Sequence, residues 1–129
     1  MTSVLDAWAL LAWLQDEDAA ERVEATLKAG DAVVSWINLG EVYYMVARGR
    51  GCAAAAGAVE IVLDWLRGEE VDSALVLDAA RVKARHSLSY ADAFAVATAE
   101  RHAAPLLTGD PEILALERPL VVVDLRHSG

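Results

Sequence analysis

The sequence predicts an α/β fold: a three-layer sandwich in which helices cover both faces of a central, mostly parallel five-stranded sheet. Two observations predict this fold class. Short apolar segments alternate along the chain with longer segments of helical periodicity, which is the element order of a parallel sheet. The apolar segments also lack the alternating polar residues of a strand that has one face in water. Helices must therefore cover the sheet on both sides.

The first half of the chain is predicted to contain two strands and four helices. Residues 3–5 and 32–36 are continuous apolar runs of strand length. Apolar side chains recur at helical spacing in residues 7–14, 18–29, 38–47 and 53–67. The last three of these helical segments are predicted to end at Gly30, Gly49 and Gly68, because glycine is typical of the position after a helix.

The second half is predicted to contain three strands and three helices. The strand candidates are residues 69–72, which form the weakest of the three, 105–108 and 120–123. Ser73 is expected to cap a helix that runs to residue 85, and Ser89 a helix that runs to about residue 103. Asp110 and Pro111 are expected to begin a short helix before the last strand. The sheet therefore has five predicted strands.

Composition and charge exclude several classes of protein. The chain has 129 residues, of which 56% are hydrophobic and 26 are alanine, so we expect one packed, helix-rich domain over residues 1–129 rather than a disordered chain. Asp6 and residues 16–18 interrupt the first apolar run, so no segment predicts a membrane span. The single cysteine, Cys52, cannot form an internal disulfide, and we expect a cytoplasmic protein. With a net charge of −9, binding to nucleic acid requires local cationic side chains or a bound metal ion.

Four acidic side chains are predicted to meet at the carboxyl edge of the sheet: Asp6, Glu41, Asp92 and Asp110. Asp6 and Asp110 follow predicted strands, whereas Glu41 and Asp92 lie one turn into helices that begin at that edge. Carboxylates brought together repel one another unless a cation lies between them. Oxygen ligands without His or Cys favour Mg²⁺ or Mn²⁺ over zinc. The pattern therefore predicts metal-assisted hydrolysis.

Each of these acids also has a simpler explanation as a helix-capping residue. Ser89 with Asp92, and Asn38 with Glu41, have the spacing of a capping box, and Asp110 precedes a first-turn proline. Taken singly, an acid at such a position is more often a cap than a catalyst. Convergence of all four at one edge is what would favour a metal site.

Other catalytic sites lack their defining residues. The sequence contains no glycine-rich phosphate-binding motif and no nucleophile elbow. Trp8 occupies the place of the second aspartate of a haloacid-dehalogenase-type phosphatase. The only lysines, Lys28 and Lys83, do not supply the late-strand lysine of a receiver domain.

Four segments, in this order and spacing, resemble the PIN-domain ribonucleases, specifically the VapC-type toxins of type II (VapBC) toxin–antitoxin systems. They are Val-Leu-Asp at 4–6, Asn-Leu-Gly-Glu-Val at 38–42, Leu-Ser-Tyr-Ala-Asp-Ala-Phe-Ala at 88–95 and Leu-Thr-Gly-Asp-Pro-Glu at 107–112. The resemblance implies a PIN-like fold and spans nearly the whole chain. It departs from the family at Ala7 and Trp8, where a small hydroxyl or amide side chain is frequent.

The resemblance implies a function and a role for each site residue. Asp6, Asp92 and Asp110 would hold Mg²⁺, or Mn²⁺, while Glu41 positions or deprotonates the attacking water and Thr108 orients a ligand. The implied activity is a metal-dependent endoribonuclease that cleaves RNA phosphodiester bonds as the toxin of a toxin–antitoxin pair.

The resemblance also implies partners, namely a cognate antitoxin and a second copy of the chain in a homodimer. The alternative interpretation is a non-catalytic PIN-like protein-interaction module that has kept the acids as caps.

Overall fold

The structure, a computed structural model, describes residues 1–126. In chain order the elements are β1 (Ser3–Leu5), α1 (Ala7–Leu14), α2 (Ala20–Ala29), β2 (Ala32–Ser35), α3 (Trp36–Arg50), α4 (Cys52–Trp65), β3 (Arg67–Glu69), α5 (Ser73–Arg85), α6 (Tyr90–Arg101), β4 (Leu106–Thr108), α7 (Pro111–Leu114) and β5 (Val122–Asp124). Within residues 1–126, none of the helices combines the length and the apolar character that crossing a membrane requires.

The strands form one sheet in the order β3-β2-β1-β4-β5, and every pairing between neighbours is parallel. The predicted α/β sandwich on a five-stranded sheet is confirmed. β1 lies at the centre, where Leu5 pairs in register with Leu107 of β4. The carboxyl ends of β1 and β4 are therefore neighbours.

Two hydrophobic cores lie on the two faces of the sheet, which is why the strands lack polar alternation. Leu5 packs in the core made with α1 to α4, whereas the preceding residue, Val4, packs in the core made with α5 and α6. In β2, Val34 and Val33 divide in the same way. Adjacent residues of a strand point to opposite faces, so both must be apolar when both faces are covered.

The helix after β2, α3, begins earlier and ends later in the structure than its sequence pattern predicts. α3 begins at Trp36 rather than at Asn38, because the Ser35 hydroxyl caps it and accepts a hydrogen bond from the Ile37 amide at 3.2 Å. The capping box predicted for Asn38 is therefore wrong. The helix also continues past Gly49 to Arg50.

Several element boundaries in the second half differ by one to three residues from the predictions. β3 shares only Glu69 with the predicted residues 69–72 and includes Gly68, which was expected to end a helix. A Cβ atom at Gly68 would lie 2.8 Å from Nε1 of Trp36, so close packing explains this glycine. Asp72, not Ser73, caps α5. β5 begins two residues after the predicted start at residue 120.

Trp8 packs directly against the backbone that follows β4. Gly109 is buried, and a Cβ atom built on it would overlap the indole ring of Trp8. The large side chain at residue 8 thus requires glycine between Thr108 and Asp110.

We expect Gly109→Ala to lower the free energy of unfolding by about 1–3 kcal/mol, since the new methyl group overpacks the contact with Trp8. Urea unfolding measures this change. Trp8→Ala should remove most of the penalty in the double variant. The matched control is Gly49→Ala, whose added Cβ meets no atom within 4 Å in an exposed part of α3 and should stabilise the protein slightly. An equal effect of Gly109→Ala with and without Trp8 would contradict the packing argument.

Candidate active site

The carboxyl ends of β1 and β4 each lead into a helix through a capping aspartate. Asp6 follows β1 and accepts a hydrogen bond at Oδ1 from the Ala9 amide at 2.9 Å, which caps α1. Asp110 follows β4 and accepts at Oδ1 from the Glu112 amide at 2.8 Å, which caps α7. The predicted capping role of Asp110 is confirmed. Because β1 and β4 are paired, both aspartates lie at the same edge.

Thr108, the last residue of β4, links the two aspartates. Its fully buried hydroxyl donates a hydrogen bond to Asp6 Oδ2 and accepts one from the Asp110 amide at 2.9 Å. The threonine therefore holds one carboxyl oxygen of Asp6 and the backbone beside Asp110 in a fixed relation.

The other two predicted acids come from α6 and α3. Asp92 lies in the first turn of α6, where its amide donates to the capping Ser89 hydroxyl at 3.1 Å, and its side chain is almost fully buried. Glu41 lies in the second turn of α3, and its Oε1 accepts a hydrogen bond from Asn38 Nδ2 at 2.8 Å. Glu41 is not a cap.

The structure adds a fifth acid, Glu112, that the sequence interpretation omitted. Carboxylate oxygens of Asp92, Asp110 and Glu112 all lie within 4.8 Å of one another. Asp6 is not part of this closest group, so its role as a metal ligand stays a prediction. The sequence feature that could have predicted it is the position of Glu112, two residues after Asp110 in the first turn of α7, the helix that Asp110 caps. We call Asp6, Glu41, Asp92, Asp110 and Glu112 the carboxylate cluster.

Burial and the repulsion of neighbouring carboxylates raise the pKa values of Asp6, Glu41 and Asp92. Burial is the main cause that raises the pKa of Asp6 from 3.8 to about 7, against hydrogen bonds from Thr108 and the Ala9 amide that lower it. The negative charges of Asp92 and Asp110 raise this pKa further. In the metal-free protein at neutral pH, the Asp6 carboxyl is therefore protonated in a large fraction of the molecules.

The pKa values of Asp92 and Glu41 are also raised. Burial, followed by the charge of Asp110, raises the pKa of Asp92 to about 7, and the charges of Glu41 and Glu112 add to the effect. The pKa of Glu41 is raised by burial, while the hydrogen bond from Asn38 opposes the shift. The pKa of each of Asp6, Glu41 and Asp92 is thus raised by burial and by the charge of at least one other carboxylate of the cluster.

The donor set fits a hard divalent cation. Every side chain of the cluster offers carboxylate oxygens, which are the preferred ligands of Mg²⁺ and Mn²⁺. Among residues 1–126, no Lys, Arg or His forms an ion pair with a member of the cluster. A cation would thus supply the charge that the protein itself does not provide, and its binding would displace the retained protons.

We expect the metal-free protein to lose stability as the pH rises from about 4 to about 7, because carboxyls with raised pKa values bind protons more tightly in the folded state. The hydrogen bond from Arg101 lowers the pKa of Asp72 to about 2, so the protonation of Asp72 changes the free energy of unfolding only below this pH range. Urea unfolding in EDTA measures the slope. Asp92→Asn should flatten it, whereas Asp64→Asn, at an exposed position of α4, should not. Stability that stays constant or increases across this range would contradict the assigned pKa shifts.

Comparison with known proteins gives the fold and the family. The PIN domain family model matches residues 3–119. No curated protein matches the sequence significantly.

Solved structures of low sequence identity share the fold along nearly the whole chain. DNA-bound VapBC from Salmonella typhimurium matches with a TM-score of 0.78 and 14% identity, covering 97% of this chain and 98% of that chain. VapBC2 from Rickettsia felis, bound to a promoter DNA fragment, matches with a TM-score of 0.77 and 16% identity over 96% and 98%. VapC20 from Mycobacterium tuberculosis, a sarcin-ricin loop cleaving toxin, matches with a TM-score of 0.71 and 22% identity over 88% and 94%. By its family match and its fold, this chain belongs to the PIN domain family.

Proposed function

We propose that this protein is a metal-dependent endoribonuclease that acts as the toxin of a toxin–antitoxin pair. The observation that carries the proposal is the carboxylate cluster, in which the acids that follow β1 and β4 approach acids of α3, α6 and α7, and no Lys, Arg or His within residues 1–126 forms an ion pair with them. The pKa values of Asp6, Glu41 and Asp92 are raised in this arrangement, and a bound divalent cation would relieve the repulsion that contributes to the shifts.

The carboxylates of Asp6, Asp92 and Asp110 would hold Mg²⁺ or Mn²⁺, and Glu112 joins them through its closeness to Asp92 and Asp110. When bound, the ion supplies positive charge against the scissile phosphate and lowers the pKa of water near it. Thr108 keeps the carboxyl group of Asp6 oriented through its hydrogen bond.

Glu41 is the proposed general base. Asn38 holds its Oε1, and among the described residues no hydrogen-bond donor occupies its Oε2. Burial raises the pKa of Glu41, which strengthens the carboxylate as a proton acceptor. Glu41 Oε2 would take the proton of the water that attacks the phosphorus atom.

RNA is the proposed substrate, in a single-stranded or looped form. Support comes from the PIN domain family match and from the structural likeness to VapC20, described as a sarcin-ricin loop cleaving toxin. The competing proposal is a non-catalytic PIN-like module in which the acids serve only as helix caps.

We expect Glu41→Gln to lower kcat on an unstructured RNA with Mg²⁺ or Mn²⁺ by roughly 100- to 10,000-fold, the usual contribution of a general base. Asp92→Asn should reduce cleavage to the level seen in EDTA, while Asp64→Asn, purified in the same way, should match wild type. Unchanged kcat in Glu41→Gln would contradict the role of Glu41. Absence of cleavage by wild type with either metal would favour the non-catalytic module.

A groove between α1, α3 and α4 is the proposed docking site for the antitoxin. Its volume is about 310 Å³, and its lining is Leu14, Gln15, Met45, Val46, Gly49, Arg50, Ala54, Gly57, Ala58 and Ile61. Met45 and Ile61 are about half exposed, at 49% and 48%. An apolar segment of a partner would cover them. One matched structure, from Klebsiella pneumoniae, is a toxin–antitoxin complex, and a net charge of −9 would steer a basic antitoxin toward the protein.

A homodimer is part of the same proposal, because further large apolar side chains lie exposed outside the groove. Leu77 of α5 and Tyr90 of α6 are exposed by 58% and 42%. Light scattering of the purified protein, alone and with the antitoxin, would give the stoichiometry.

We expect Ile61→Glu to weaken binding of the protein encoded by the neighbouring reading frame by about 10-fold or more, since a buried charge would replace an apolar contact. Titration calorimetry measures the affinity. Val121→Glu is the matched control, because Val121 is 68% exposed and does not line the groove. Failure of wild type to bind this partner would refute the antitoxin assignment without affecting the nuclease proposal. Equal affinities of wild type and Ile61→Glu would place the docking site elsewhere.

A further inference from the structure

Asn38 is a fully buried amide that connects two helices of the candidate active site. Its Nδ2 donates one hydrogen bond to Glu41 Oε1 at 2.8 Å and another to the backbone carbonyl of Ala91 at 3.1 Å. Asn38 and Glu41 belong to α3, whereas Ala91 belongs to the first turn of α6 and directly precedes Asp92. One amide group therefore joins the Glu41 carboxylate to the helix end that carries Asp92.

Neither packing nor capping explains an asparagine at this position. The cap of α3 is Ser35, so Asn38 does not satisfy the helix end. Asn38 Oδ1 is buried and accepts no hydrogen bond within the part of the chain that the structure describes. An apolar side chain would avoid burying this unpaired oxygen. What Asn38 provides, and an apolar residue cannot, is the pair of N–H donors.

The geometry of a carboxamide makes this pair of donors a positioning device. The two hydrogens of Nδ2 lie in the plane of the amide and diverge in fixed directions. With one hydrogen directed at the Ala91 carbonyl, rotation of the amide is restricted, and the other hydrogen is held toward Glu41 Oε1. Glu41 thus presents its second oxygen, Oε2, in a defined orientation relative to α6.

We propose that Asn38 is a positioning residue that orients Glu41 for proton transfer. The inference rests on the proposed nuclease function and refines it, because it assigns to Asn38 an effect on turnover rather than on metal or RNA binding. Asn38 touches no other member of the carboxylate cluster in the hydrogen bonds of residues 1–126.

The test compares Asn38→Leu and Asn38→Ala with wild type, the alanine variant serving if leucine does not fold. We expect kcat to fall roughly 10- to 100-fold, as for other residues that orient catalytic groups, with KM changed little. The Mn²⁺-induced increase in melting temperature should stay as in wild type, because the group of Asp92, Asp110 and Glu112 is intact. Thr98→Val is the matched control, since Thr98 is also fully buried and, among residues 1–126, its hydroxyl donates a hydrogen bond only to the Phe94 carbonyl within α6.

A double-mutant cycle separates positioning from a general structural effect. If Asn38 acts through Glu41, Asn38→Leu should lower kcat far less in a Glu41→Gln background than in wild type. Additive losses of kcat, or an equal loss in Thr98→Val, would overturn the inference.

A measurement without RNA distinguishes this inference from the proposed function. In ¹⁵N NMR spectra, the Asn38 side-chain amide protons should exchange slowly with solvent, and Glu41→Ala should shift their resonances and speed the exchange. Amide protons that do not respond to Glu41→Ala would refute the contact itself. Wild type that cleaves no RNA would overturn the proposed function and the positioning role together, whereas cleavage with normal kcat in both Asn38 variants would overturn the positioning role alone.

Discussion

The hydrogen bond from the Thr108 hydroxyl to Asp6 is the contact on which the arrangement of the candidate active site depends. It forms because β1 and β4 are adjacent parallel strands in which Leu5 lies opposite Leu107. The next residues along the two strands, Asp6 and Thr108, therefore also lie side by side. The same hydroxyl accepts from the Asp110 amide and thereby fixes the start of α7. Sheet register, and not local sequence, places these two acids together.

The burial of the Asp6 carboxylate in this arrangement lowers the free energy of unfolding. Asp6 is almost entirely buried, and its two hydrogen bonds do not outweigh desolvation, so its pKa rises to about 7. A fold selected only for stability would place serine, threonine or asparagine at such a cap, since these residues cap equally well without a buried charge. The excess of negative charge is what a site built for a cation requires, and it is concentrated where two of the strands end.

How far the sequence predicts the structure depends on whether the determining contact is local. Four of the strands and the caps of α6 and α7 follow from apolar runs and from Ser89 and Asp110, because these signals lie within the element itself, whereas β3 contains no apolar run. The boundary of β3 does not, because Gly68 is required by Trp36, more than thirty residues away along the chain. The start of α3 depends instead on a local cap, Ser35, which lies inside the apolar run of residues 32–36 and is therefore read as part of the strand. Four acids are assigned to one edge because Asp6 and Asp110 follow predicted strands, and Glu41 and Asp92 lie one turn into helices that begin there. Glu112 was missed because its closeness to Asp92 exists only after β4 and α6 have packed.

Capping and metal binding are not competing explanations for most of the cluster. Asp6, Asp92 and Asp110 all lie at helix N-termini, whose partial positive charge attracts carboxylates, and the helices begin at one edge because the strands are parallel. Local helix chemistry therefore brings acids together before any function is considered. Glu41 is different, since it lies in the second turn of α3, beyond the reach of a cap. It is held by the buried amide of Asn38, whose oxygen accepts no hydrogen bond from the part of the chain that the structure describes. No requirement of helix formation accounts for that pair. The distinction between an acid-capped scaffold and an enzyme thus depends on Glu41 and Asn38 more than on the aspartates.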